Sequence, residues 1–151
     1  MIENILEQRD TRIFPTNSAY VMYFDGCCKG NPGKGGSAAV IYENGEEIAI
    51  CLEKAGDHVT NNYAEYIGLY IGLRRARDIG IKKLTVYGDS LLVINQMNGV
   101  YKVKSDSLIK CYDCCKKLTE FFDNVIFNHV YRDNNKRADK LSNDALMFST
   151  L

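Results

Sequence analysis

Four acidic residues, Asp25, Glu65, Asp89 and Asp139, stand where packing alone does not ask for a charge. Asp25 follows Val21-Met22-Tyr23-Phe24, the most apolar strand-like run of the chain. Aspartate is depleted in strands, and an ionised carboxylate in a low-dielectric interior is costly unless paired or bound to a metal. A solvated turn just beyond Phe24 is the other reading of that position. Glu65 shares a helical stripe with Leu69, Leu73 and Ala76 and so leads an inward-facing row. An acid favoured by the helix dipole is its alternative. Asp89 closes Leu84-Thr85-Val86-Tyr87-Gly88 at the carboxyl end of a strand, where ligands of α/β sheets gather. It can equally cap the helix that follows. Asp139 lies one turn into the last helix, beside Ala138 and Leu141. Gathered at one sheet edge, four such groups would repel one another unless cations joined them. Oxygen donors without histidine or cysteine partners select a hard ion, Mg²⁺ or Mn²⁺.

The elements that must carry these groups follow from periodicity and turn chemistry. Tyr20 to Phe24 reads as a strand buried on both faces. The segment Gly30-Asn31-Pro32-Gly33-Lys34-Gly35-Gly36 reads as a hairpin loop kept small for close approach of a substrate. Ala38 to Tyr42 and Ile48 to Leu52 flank Asn44-Gly45, a strong signal for a type I′ hairpin turn. Thr60 or Asn61 caps a helix that ends near Gly80. Gly68 and Gly72 within it cost about 1 kcal/mol each relative to alanine, which implies close approach of helix to sheet. Lys83 to Tyr87 then reads as a strand, Ser90 to Met97 as a short helix and Ser105 to Phe122 as a longer one. Val125 to Val130 is a fifth strand, and Asn134 or Asn135 caps a last helix. The order βββ-α-β-α-α-β-α predicts an α/β fold, a five-stranded mixed sheet with three antiparallel strands, then parallel ones, flanked by helices.

A chain of 151 residues fits one domain, expected over residues 19–151, with residues 1–18 as a tail or short extension. Lysine plus arginine equals aspartate plus glutamate at 19 each, which excludes a polybasic coat as the main source of nucleic-acid affinity. The balance is uneven: residues 1–75 carry 7 basic and 10 acidic side chains, residues 76–151 carry 12 and 9. No run approaches the roughly 18 apolar residues of a membrane span, and the first ten residues lack the pattern of a secretory signal. Six cysteines in that setting imply reduced thiols, so the expectation is a cytoplasmic chain with no membrane partner. Cys111 and Cys115 fall on a stripe with Leu108, Leu118 and Phe122, which reads as core packing. With Cys114 they still lack the paired spacing of a zinc site. The glycine-rich loop is not closed by Gly-Lys-Ser/Thr and is no phosphate loop.

Four segments occur in order: Tyr23-Phe24-Asp25-Gly26-Cys27 with Gly30-Asn31-Pro32-Gly33; Thr60-Asn61-Asn62-Tyr63-Ala64-Glu65; Tyr87-Gly88-Asp89-Ser90; and Asn135-Lys136-Arg137-Ala138-Asp139-Lys140-Leu141-Ser142-Asn143. Together they resemble type 1 ribonuclease H, over residues 19–148. The resemblance implies a ribonuclease H-like fold and hydrolysis of the RNA strand of an RNA–DNA hybrid, leaving 5′-phosphate and 3′-hydroxyl ends. It also implies two divalent ions about 4 Å apart, Mg²⁺ with Mn²⁺ able to substitute. Asp25 would bridge both ions, Asp139 would complete the one that activates water, and Glu65 and Asp89 would serve the one on the leaving oxygen. Asn31, Asn61 and Asn62, with Gly26 and Cys27, match positions that contact the hybrid, whose 2′-hydroxyls mark RNA in the minor groove. For Asn31 a turn role, and for Asn61 a capping role, are the plainer readings.

Several departures qualify that picture. Leu91 replaces a polar contact residue, and Cys27 replaces a common serine. The segment from Gly99 to Phe122 is too short for the basic protrusion of some relatives. Lys102, Lys104, Lys110, Lys116 and Lys117 either steer phosphates or form a solvated face. A chain without the protrusion should bind weakly and depend on salt. His129 lies at the interval of a mobile loop histidine that aids product release in bacterial relatives, yet alternates with Val125 and Phe127 and so reads as structural. Val130-Tyr131-Arg132 resembles the archaeal-like and retroviral-like branch, where Arg132 would approach the scissile phosphate. The expected partner is an RNA–DNA hybrid and the expected state a monomer. A catalytically dead binding module, or a nuclease for double-stranded RNA or DNA, are the competing hypotheses.

Overall fold

Tyr20–Lys29 (β1), Gly33–Glu43 (β2) and Glu46–Val59 (β3) form an antiparallel meander in the computed structural model, which describes residues 18–148. The β2–β3 turn is built as its sequence requires, with Asn44 at φ 49° and Gly45 at φ 85°. Ser18 and Ala19 are held to it, Ser18 donating to Glu43 and the Ala19 N–H to Asn44 Oδ1 at 2.9 Å. The rest of the expected N-terminal tail lies outside the described residues.

Asn61–Ile79 (α1) starts at Thr60, whose Oγ1 accepts from the Tyr63 N–H at 3.2 Å, and stops at Gly80 with φ 99°. Then come Lys83–Gly88 (β4), Leu91–Met97 (α2), Asp106–Thr119 (α3), Asn124–His129 (β5), a single 3₁₀ turn at Arg132–Asn134, and Lys136–Phe148 (α4). The sheet order is β3-β2-β1-β4-β5, with β4 parallel to β1 and β5 parallel to β4. This is the predicted mixed α/β architecture.

Strand alternation divides the core between the two faces. Met22, Phe24, Ala39 and Ile41 pack against Tyr66, Leu69 and Leu73 of α1, with Cys115 and Leu118 of α3 in the same cluster. Ala38 and Val40 face Leu141 of α4 on the other side, with Tyr23 and Tyr42 at its margin. The cysteine stripe is therefore packing, with Cys115 fully buried, Cys111 half-buried and Cys114 exposed.

Several boundaries differ from expectation, among them those of β3, which extends over Glu46–Val59 instead of Ile48 to Leu52. β1 runs five residues past Phe24, because Asp25 to Lys29 pair with Ala38 to Lys34 of β2. The expected loop at residues 30–36 shrinks to 30–32, since Gly33 onward belongs to β2. The glycines there are explained by packing: a Cβ at Gly36 would overlap the Ser142 carbonyl of α4, and one at Gly35 would press on Val59. The longer helix is shorter than predicted at its end, Thr119 being followed by turns through Phe122. No helix among the described residues is long and apolar enough to cross a membrane.

Candidate active site

Parallel pairing of β1 with β4 sets Phe24 opposite Gly88, so Asp25 and Asp89 leave neighbouring strands at the same level. Asp25 is a mid-strand residue, 4% exposed, and not a solvated turn. The helix after β4 is capped by Ser90, whose Oγ accepts from the Val93 N–H at 3.2 Å, so the Asp89 carboxylate is not spent on capping. Glu65 lies beyond the first turn of α1 and is 8% exposed, which removes the helix-dipole explanation. It is brought to the sheet by the absence of side chains beneath the helix. A Cβ at Gly26 would overlap the Ala64–Glu65 backbone, and one at Gly68 the Asp25 carbonyl. Ser37 adds a buried hydrogen bond from β2 to the Ala64 carbonyl at 2.6 Å. Oxygens of Asp25, Glu65 and Asp89 consequently lie within 4.8 Å of one another.

Such a cluster cannot hold three full negative charges in a dry site. Burial, reinforced by the Asp89 charge, pushes the Asp25 carboxyl from 3.8 up to about 7, although its bond with Glu65 acts the other way. Burial likewise raises Glu65 well above its ordinary value, with Asp25 and Asp89 adding to the effect. The two carboxyls therefore resist ionising together. Among the described residues, the buried side-chain polar atoms without a hydrogen-bond partner are Glu65 Oε2 and Asn135 Oδ1, both at this locus. Orphaned carboxylate oxygen, like-charge crowding and all-oxygen donors fit a hard divalent cation. Asp139, half-exposed in the first turn of α4, stands outside that 4.8 Å group, although it adds to the upward shift of the Asp25 carboxyl.

A profile of the family described as reverse transcriptase-like matches residues 23–145. The bifunctional protein Rv2228c of Mycobacterium tuberculosis is 39% identical over 127 residues, covering 83% of this chain and 35% of its own length. Its N-terminal RNase H domain, solved as a fusion with maltose-binding protein, superposes with a TM-score of 0.84 at 36% identity, covering 89% of this chain and 97% of that one. Ribonuclease HI of Halobacterium salinarum is 34% identical over 132 residues, covering 82% of this chain and 62% of its own. The chain belongs to the ribonuclease H family. A further ribonuclease H structure, LC11-RNase H1 from compost in complex with an RNA/DNA hybrid, has a TM-score of 0.81 at 32% identity, covering 87% of this chain and 99% of that one. The chain spans about a third of the length of the mycobacterial relatives, 35%, and the archaeal-type ribonuclease H1 is among its structural neighbours at TM-score 0.81 over 85% of this chain and 97% of that one.

Within this ribonuclease H fold the other sequence-predicted residues fall as follows. Asn31, Asn61 and Asn62 are exposed where the β1–β2 turn meets the start of α1. The Asn61 N–H donates to Asn31 Oδ1 at 3.1 Å, and since Thr60 is the cap, the Asn61 side chain is not. Gly26 sits under α1, whereas half-buried Cys27 faces Ser142 of α4, and burial raises its thiol pKa. Arg132 is exposed on the 3₁₀ turn. His129 ends β5 opposite Gly88, half-buried and edge-on to Tyr131 at 5.3 Å. Leu91 is exposed at the start of α2. Sequence reasoning missed two residues. Ser37 carries no signal in the sequence beyond its small size, and Asn135 reads there as a helix cap. Its side chain instead turns into the sheet.

Proposed function

We propose that this chain hydrolyses the RNA strand of RNA–DNA hybrids, with a divalent-metal mechanism that leaves 5′-phosphate and 3′-hydroxyl ends. The observation that carries the reading is the convergence of Asp25, Glu65 and Asp89 within 4.8 Å at one sheet edge. The ribonuclease H names of its relatives and the hybrid bound to LC11-RNase H1 support the substrate class.

Asp25, Glu65, Asp89 and Asp139 are the groups assigned to hold two Mg²⁺ or Mn²⁺ ions. Bound there, such ions supply Lewis-acid charge to the scissile phosphate and lower the pKa of the attacking water. The chain's own part is to keep these carboxylates preorganised and to release the proton that burial favours on Asp25 when the site is filled. Asn31, Asn61 and Asn62, with the backbone at Gly26 and Cys27, are assigned to the minor groove of the hybrid, where 2′-hydroxyls select RNA. Arg132 is assigned to the phosphate next to the site. All four carboxylates come from one chain, which is consistent with action as a monomer.

The test is incubation of labelled RNA–DNA hybrid, RNA duplex and DNA duplex with the folded protein and Mg²⁺ or Mn²⁺, with analysis of product ends. Cleavage of RNA in the hybrid, lost with Asp25→Asn or Asp89→Asn, is the expected result. Preferential cleavage of RNA duplex would reassign the substrate. Hybrid binding without turnover in either metal would mark a binding module.

A further inference from the structure

Asn135 is 2% exposed and lies directly before α4, whose first turn carries Asp139. Its Nδ2 donates to the Phe24 carbonyl at 2.9 Å, one residue before Asp25, and to Asp89 Oδ2 at 3.3 Å. Its own carbonyl accepts the Asp139 N–H at 3.0 Å. One residue thus touches the backbone or side chain of three separate elements that each present a carboxylate. Its Oδ1, meanwhile, is buried and has no partner. The amide cannot turn over to relieve this, because Oδ1 would then face the Phe24 carbonyl and the Asp89 carboxylate, both acceptors. A buried orphan acceptor kept for the sake of the opposite nitrogen is a cost that general packing does not require.

From this we infer that Asn135 is a positioning residue for the metal site, acting through Asp89. It holds that carboxylate at the level of Asp25 and ties α4 to the end of the β1–β4 pair, so cation affinity depends on it more than the fold does. The inference rests on the proposed metal-dependent function and refines which residues make it work. Partners that orient ligating groups influence metal affinity by roughly 10- to 100-fold.

Mn²⁺ binding by calorimetry tests the idea without any substrate. Asn135→Ala should weaken Mn²⁺ binding by roughly 10- to 100-fold while the far-ultraviolet circular dichroism stays that of the folded protein. In an Asp89→Asn background the same substitution should cost less than about twofold more, since the carboxylate through which it acts is gone. An equal loss in both backgrounds, or unchanged affinity in Asn135→Ala, overturns the inference while leaving the proposed function intact. Absence of Mn²⁺ binding to the unsubstituted protein overturns both. If Asn135→Ala does not fold, the side-chain amide resonances of Asn135 answer instead. They should shift on Mg²⁺ titration of the unsubstituted protein and shift less in Asp89→Asn, and resonances that do not move refute the role.

Discussion

Asp25 pairs with Ala38 in the middle of a strand, yet carries a carboxyl that burial has lifted to about 7. The folded chain therefore holds a proton that the unfolded chain releases near pH 3.8. Folded-state protonation of this kind stabilises most at low pH, and the contribution is lost as pH rises through about 7. Asp25→Asn should accordingly raise the melting temperature at pH 8 in chelator and leave it nearly unchanged at pH 4. The gain expected is on the order of 2 kcal/mol, or roughly 4–8 °C for a domain of this size. Melting curves at the two pH values check it, and a fall at pH 8 would contradict the electrostatic account. The same proton must leave when a cation enters, so Mn²⁺ affinity should rise between pH 6 and pH 8. Calorimetry in buffers of different ionisation enthalpy would show the release. The separate acids were legible in the sequence at this scale, but their resistance to ionisation was not, since it arises from burial and mutual proximity.

Helix α1 meets the sheet across glycines, and that contact decides where Glu65 sits. A Cβ at Gly68 would overlap the Asp25 carbonyl and lie close to that of Ala38, both rigid backbone. Gly68→Ala should therefore lever the helix away, costing about 1–3 kcal/mol of stability and weakening Mn²⁺ binding with it. Denaturant unfolding and metal titration on one preparation would check both effects. Unchanged values would mean the interface is looser than the contacts imply. The close approach was readable from two glycines placed in an otherwise regular helical stripe. The glycines of residues 33–36 misled because composition alone does not tell a loop from a strand whose faces are pressed by α4 and β3. Asn135 misled for a related reason. An asparagine before a helix is usually a cap, and only the neighbouring Phe24 carbonyl, 111 residues away in sequence, reveals the other use of its amide.

Equal numbers of basic and acidic residues leave the molecule without net charge to attract a polyanion. The exposed lysines Lys102, Lys104, Lys110, Lys116 and Lys117 provide a local basic contribution around α3. Hybrid binding should therefore be weak and should fall as salt rises, with a shallow log–log slope of about −0.7 to −0.9 for each phosphate contact. Measuring affinity at several salt concentrations with a catalytically silenced Asp89→Asn protein checks this. A steep slope reporting many contacts would point to a basic surface that the lysine positions do not account for.

By itself the sequence determined the order of elements, the hairpin at Asn44-Gly45, the helix stop at Gly80 and the identity of the clustered acids, because these depend on local periodicity, turn chemistry and motif spacing. Tertiary structure alone decided which alternative use each polar residue adopts. Ser90 takes the cap and leaves Asp89 free, Thr60 takes the cap and leaves the Asn61 side chain free, and Asn135 leaves capping to clasp the sheet. Those choices turn on desolvation and on hydrogen-bond partners brought from distant parts of the chain, and neither quantity exists until the strands and helices have packed.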